Sequence, residues 1–159
     1  MNYLALFQAI VFLIFITSVN LSYGLLGSIS ASFYELKKTN MDWAFSLFGA
    51  FVGIPLWFYG NYTSNDAAIT LYALSGFFMF GLTIASWFRD DEVIKILHYT
   101  FTLLAIILAL GGIHLQYGHG LIWLLPMGVI VLFLSTLKNS LLWIEYFMFA
   151  VIIGRLLIL

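Results

Sequence analysis

The 159-residue chain is 64% hydrophobic and 19% aromatic, and only 8% of its residues are charged. Soluble domains carry about 25% charged and about 45–50% apolar residues, so the ionic side chains are too few to coat a globule and the chain reads as an integral membrane protein. Six Lys and Arg against seven Asp and Glu leave no basic field for nucleic acid, and the absence of cysteine excludes disulfides, thiolate metal sites and cysteine nucleophiles.

A helix needs about 20 mostly apolar residues to cross about 30 Å of hydrocarbon. Six segments meet that requirement, which predicts an all-α bundle of six transmembrane helices in a single domain covering residues 1–159. The first span is residues 4–23. The first lysine, Lys37, lies too late for the basic start of a removable signal, so this segment reads as a permanent span. The densest polar stretch follows, Gly27-Ser28-Ile29-Ser30-Ala31-Ser32-Phe33-Tyr34-Glu35 and then Lys37, Lys38 and Asp42, and reads as a serine-rich helix exit with solvated charges.

The second span, residues 42–60, carries Gly49 and Gly53 as a small-xxx-small pair behind Ser46, the pattern that lets helices approach closely where lipid gives no hydrophobic drive. Pro55 is expected to kink it. Asn61-Tyr62-Thr63 is formally a glycosylation sequon, set close to the helix end. The third span, residues 67–88, contains Gly76 and Gly81, and the fourth, residues 93–117, contains His98, Gly111-Gly112 and His114. The fifth, residues 121–137, holds Pro126, expected to kink it, and Gly128, a further packing position. Lys138-Asn139-Ser140 reads as the turn into the sixth span, residues 141–158, with Glu145 and Arg155.

Lys37 and Lys38, Arg89 with Lys95, and Lys138 fall in or beside the first, third and fifth connections, while the second and fourth carry no basic residue. Positive residues are retained on the cytoplasmic side, so both termini are expected outside a prokaryotic inner or plasma membrane. Arg155 then lies near the outer surface, where it can snorkel or meet the C-terminal carboxylate. Aromatic belts are expected from Trp43 and Trp87 inside and from Trp57, Tyr59, Tyr62, Tyr117 and Trp123 outside. No internal repeat is evident, so inverted-repeat transporter architecture gains no support.

Ionisable groups inside a bilayer are costly and mark functional positions. Glu145 is either an interfacial carboxylate sharing a face with Lys138 or a buried group that carries a proton or pairs with a partner. His98 and His114 are separated by about 24 Å along one helix and point to nearly opposite sides, so they cannot share a haem or a metal. Two nitrogen/oxygen metal sets remain open: His114 and His119 with Asp66 and Asn61 outside, and His98 with Glu35, Asp42, Asp90 or Asp91 inside, the latter also suited to acid–base chemistry. Anchoring is the default reading of the aromatic rings, and a quinone or carotenoid pocket is the alternative use; the sequence names no cofactor. A Gly-x-Ser-x-Gly elbow, a His-Glu-x-x-His helix and a P-loop are absent from the sequence.

Ser28-Ile29-Ser30-Ala31-Ser32-Phe33-Tyr34, Asp42 and Phe45 entering a glycine-containing helix, Tyr59-Gly60, Asp66, Gly76 and His98 together resemble a group of uncharacterised bacterial polytopic membrane proteins, over residues 24–110. That group reads roughly Ser-Ile-Ser-x-x-Tyr-Tyr, Arg-Asp-x-Phe-Val-Gly, Tyr-x-Gly-Tyr, then Asp, with a histidine opening the next helix. More remotely, a bundle with serine, aspartate and histidine near the cytoplasmic face is similar to ceramidase and progestin/adipoQ receptor-like zinc hydrolases. Those have seven spans and a late His-x-x-x-His pair, whereas no histidine follows His119 here.

The expectation is a non-catalytic component or accessory subunit of a membrane complex, with the lipid bilayer, other membrane subunits or a second copy as partners. The alternatives are a small metal-dependent membrane lipid hydrolase and a small-solute carrier or binding subunit.

Overall fold

A computed structural model describes residues 2–86, 92–118 and 124–158. Its elements are α1 (Tyr3–Tyr23), α2 (Ala31–Lys38), α3 (Asp42–Tyr59) with a 3-10 turn at Gly60–Tyr62, α4 (Asp66–Ser86), α5 (Glu92–Tyr117), α6 (Leu124–Leu134) and α7 (Ser140–Leu157). Among the described residues every element is therefore helical. Five of the helices, α1, α3 with its 3-10 turn, α4, α5 and α7, are long and apolar enough to cross a membrane.

Local chemistry sets the helix ends. Asn2 Oδ1 accepts from the N–H groups of Leu4 and Ala5 at 3.1 and 3.4 Å and starts α1. Gly24, at φ +74°, ends it in the left-handed region where a Cβ would be strained. Asn65 caps α4 through Ala67 and Ala68, at 3.1 and 3.2 Å. The turns into α3 and α7 pass through Asn40 and Asn139, at φ 57° and 59°, a conformation Asn tolerates better than most residues.

Two expectations are corrected in part. In the stretch after α1 the charges of Lys37 and Lys38 are exposed as expected, but the serines are not solvated: Ser28, Ile29, Ser30 and Ser32 are buried, and α2 folds across one end of the bundle on Phe33 and Leu36. Ile29, Phe33 and Leu36 recur at helical spacing, a pattern too short to register in a search for membrane-length segments. Helix α6 has 11 described residues, about 16 Å, or about two-thirds of the expected fifth span. Residues 121–123 lie outside the described part, and past Leu134 the hydroxyls of Ser135 and Thr136 donate to Leu132 O and Phe133 O at 2.6 and 2.7 Å, closing the chain into turns. Pro126 is the third described residue of α6, which follows directly on residues outside the described part. Pro55, by contrast, lies in the buried interior of α3.

Inter-helix contacts fix the direction of each helix. Gln8 of α1 bonds Val52 O of α3, Ser75 of α4 bonds Ala105 O of α5, and Asn20 of α1 bonds Tyr146 of α7. Asn139 Nδ2, just before α7, reaches Leu25 O at 3.4 Å, so α7 begins where α1 ends. Arg155 lies 5.9 Å from the centre of the Tyr117 ring in a cation–π contact, so α7 ends where α5 ends, and the carboxylate of Leu159 lies outside the described residues. The segment from Gly118 to Asn139, which contains α6, thus returns along the length of the bundle. Asn2 and Ile158, the first and last described residues, lie at the end opposite α2.

Close helix approach depends on glycine. A Cβ placed on Gly49 would stand 1.8 Å from Thr83 Cγ2, and one on Gly53 would stand 3.1 Å from Met79 Cβ, so both glycines lie on the α3–α4 contact. Gly76, Gly81 and Gly112 receive the rings of Trp57, Phe101 and Tyr72. Gly128 faces open space. An aromatic cluster fills the α2 half of the core, with Phe15 stacked on Phe48 at 4.2 Å and Phe12 on Phe149 at 5.1 Å. The outer faces are apolar, as at Leu13, Ile14, Phe77, Leu103 and Ile107.

Of the expected belt aromatics, Trp43, Trp57 and Tyr62 are exposed and Tyr117 is half-buried. Tyr59 is core instead, 1% exposed, because its hydroxyl is drawn inward to Gln8. Trp87 and Trp123 lie outside the described residues.

Candidate functional site

Two of the ionisable residues singled out in the sequence meet inside the bundle. Leu142, Glu145, Ile152, Ile153 and Leu156 form the buried face of α7, so Glu145 points into the core and is 8% exposed. Lys138 is exposed and does not share that face. Along α5, His98, Ala105 and Ala109 are buried at helical spacing while Leu103 and Ile107 point outward, which brings the imidazole, 3% exposed, to the same interior.

His98 and Glu145 line one enclosed cavity of about 20 Å³ near the α2 end. Ser30, Thr83 and Thr102 add hydroxyls to its wall, and Phe45, Phe48, Met79, Leu82 and Phe149 make the rest largely apolar. A space of that size holds a single water molecule, given polar partners. Glu145 Oε2 accepts the backbone N–H of Ile29, which ties α7 to the segment leading into α2. That segment is folded locally by Ser28, whose Oγ accepts the Ala31 N–H at 3.0 Å and shares a 3.0 Å hydrogen bond with Ser30 Oγ. Ile29, Ser30, Phe45 and His98 lie in this one wall.

A second cavity of about 20 Å³ lies further along the axis, lined by Gln8 and Ser75 and sharing Met79 and Phe149 with the first. Gln8 is 1% exposed, donates to Val52 O and accepts from the Tyr59 hydroxyl, both at 2.6 Å. Beyond it, the Tyr72 hydroxyl donates to Gln116 Oε1 at 2.7 Å, and Gln116 Nε2 donates to Tyr62 O at 3.2 Å. Gln8, Ser75, Thr83 and Thr102 carry no charge, so the cost of burying ionisable groups does not mark them in the sequence. An uncharged amide alone within the apolar run of α1 was the available signal.

The described members of the candidate metal sets do not come together in one group. Glu35 pairs with Lys38 at 2.8 Å on the surface of α2, and Asp42 opens α3, neither lining the His98 cavity. Asp66 and Asn61 are exposed at the far end, where Asn65, rather than either of them, reaches α5 through Leu115 O. His114 is half-buried, and its Nδ1 has no hydrogen-bond partner among the described residues. Asp90, Asp91 and His119 lie outside those residues, as does Arg89. Among the described residues no three His, Asp or Glu side chains come together in a group that could hold a metal ion.

No protein-family model matches the chain, and no curated protein or solved structure is significantly similar to it.

Proposed function

We propose that the chain is an integral membrane protein that crosses the bilayer six times and serves as a non-catalytic component of a larger membrane complex. The α2 end faces the cytoplasm and both termini face outward. Five membrane-length helices support the embedding, and the return of residues 118–139 along the bundle supports a sixth crossing in which α6 covers about half the hydrocarbon. Lys37, Lys38 and Lys138 sit at the α2 end, in agreement with the retention of basic residues on the cytoplasmic side.

The observation that carries the component reading is where the buried polar groups are spent. Gln8, Asn20, Ser75, Tyr72 and Glu145 each bond a different segment of the chain, so they hold the bundle together around cavities of single-water size. A lipid hydrolase needs a polar cleft wide enough for its substrate, with about three protein ligands around zinc. The roomiest space among the described cavities, about 400 Å³, is instead an apolar groove on the outside between α1 and α3, lined by Ile14, Phe15, Leu47 and Phe51. Interhelical polar bonds of this kind are how membrane bundles acquire a fixed shape.

Purification in mild detergent from the native membrane tests the reading. A partner protein retained at fixed stoichiometry through a second column is expected, with no zinc above trace by elemental analysis of chelator-free protein. About one zinc per chain, lost on His98→Ala, would overturn it in favour of the hydrolase.

A further inference from the structure

We propose that Glu145 and His98 form a proton-binding site open to exchange at the α2 end, and that proton uptake releases the Gly24–Ser30 segment that Glu145 holds in place.

The two side chains are 92% and 97% buried, and a carboxylate and an imidazole are the residue types that exchange protons most readily near neutral pH. They line one small cavity with room for a water molecule between largely apolar walls. Packing alone gives no reason to place such a pair there. Leu or Phe would fill the volume without the cost of taking ionisable groups out of water.

Among the described residues, these two are the titratable side chains that line the cavity. Of the elements that form the wall, α5 contributes His98, α7 contributes Glu145, and α3 and α4 contribute no titratable lining side chain. The segment before α2 contributes Ser30. The helix α1 carries no charged residue, and its Asn20 takes up the hydroxyl of Tyr146, next to Glu145. The described charged groups nearby in sequence, Glu35, Lys37 and Lys38 on α2 and Asp42 at the start of α3, are not part of the wall.

The coupling follows from one bond. An ionised carboxylate makes a charge-assisted hydrogen bond with the Ile29 N–H, about twice as strong as a neutral one. Uptake of one proton from the aqueous phase breaks an O–H bond of hydronium, leaving water, and forms one on the Glu145 carboxyl. The carboxyl then holds Ile29 as a neutral acceptor only. Gly24 and Gly27, neither of which has a neighbour within 4 Å of a Cβ position, leave the segment free to hinge. Protonation is thereby read out as opening at the α2 end.

This inference rests on the membrane reading only in setting the α2 end at a water-facing surface, and its test reads Glu145 directly, so it can fail while the six-crossing component reading stands. Full-length protein in phosphatidylcholine vesicles is stepped in pH while infrared difference spectra are recorded, and the same samples with Ser30→Cys are labelled with a water-soluble maleimide. A carboxyl C=O band that grows on acidification and is absent in Glu145→Gln is expected. Ser30→Cys labelling should rise severalfold over the same pH range, and Glu145→Gln, which lacks the charge, should label at the high level throughout. In His98→Gln the midpoint of the carboxyl band should move, because coupled groups titrate as a pair. Should Glu145→Gln fail to fold, Glu145→Asp keeps a titrating carboxyl and must still show the band. A wild-type spectrum identical to that of Glu145→Gln, labelling indifferent to pH, or a midpoint unmoved by His98→Gln would each overturn the proposal.

Discussion

Gly49→Ala is expected to destabilise the bundle by about 2 kcal/mol, one of the largest effects available from adding a single methyl group. Overpacking a tight core costs about 1–3 kcal/mol, and the added Cβ would lie 1.8 Å from Thr83 Cγ2, which places this site at the upper end. The Thr83 side chain cannot simply rotate away, because its hydroxyl is held on Phe80 O at 2.6 Å. Replacing Gly by Ala within a helix returns about 1 kcal/mol of propensity, too little to offset the clash. Thermal unfolding in detergent measures the difference. Gly49→Ala combined with Thr83→Ser, which removes the offending methyl, should regain most of the loss, and Gly128→Ala, which points into open space, should cost nothing. A silent Gly49→Ala would mean that α3 and α4 do not approach as described.

Gln8→Leu is the second. The substitution keeps roughly the side-chain volume but removes the acceptor of the Tyr59 hydroxyl and the donor to Val52 O, both fully enclosed. Interhelical hydrogen bonds in membrane proteins average about 0.6 kcal/mol, but a donor stranded in the interior costs about 1–3 kcal/mol, and the second figure governs here. A loss of about 2 kcal/mol is expected in the same unfolding assay. The double variant Gln8→Leu with Tyr59→Phe removes the stranded hydroxyl and should be more stable than Gln8→Leu alone. If the two losses simply add, Gln8 and Tyr59 do not form the bond.

The long helices were legible because composition and length settle them: α1, α3, α4, α5 and α7 begin and, where the described residues reach, end within a residue or two of the predicted spans. What hydropathy does not carry is which way a residue faces. Tyr59 has the position of a belt aromatic, and only the amide of Gln8 on another helix turns it inward. Glu145 could be read as interfacial or buried, although its spacing with Leu142, Ile152 and Leu156 already put it on the apolar face of α7. For α2 the obstacle was different: eight residues with serines and lysines look like a loop until the other helices supply a surface for Ile29, Phe33 and Leu36. The encounter of His98 with Glu145 joins positions 47 residues apart, and no local pattern encodes it.

The native chain contains no cysteine, so single cysteines can report the sidedness of each connection. Asn2→Cys, Lys38→Cys, Lys138→Cys and Ile158→Cys are labelled with an impermeant thiol reagent in right-side-out and inverted vesicles. Six crossings require Lys38→Cys and Lys138→Cys to react from the cytoplasmic side, and Asn2→Cys and Ile158→Cys to react together from the opposite side. Labelling of Asn2→Cys and Ile158→Cys from opposite sides would mean an odd number of crossings and would contradict the six-crossing bundle.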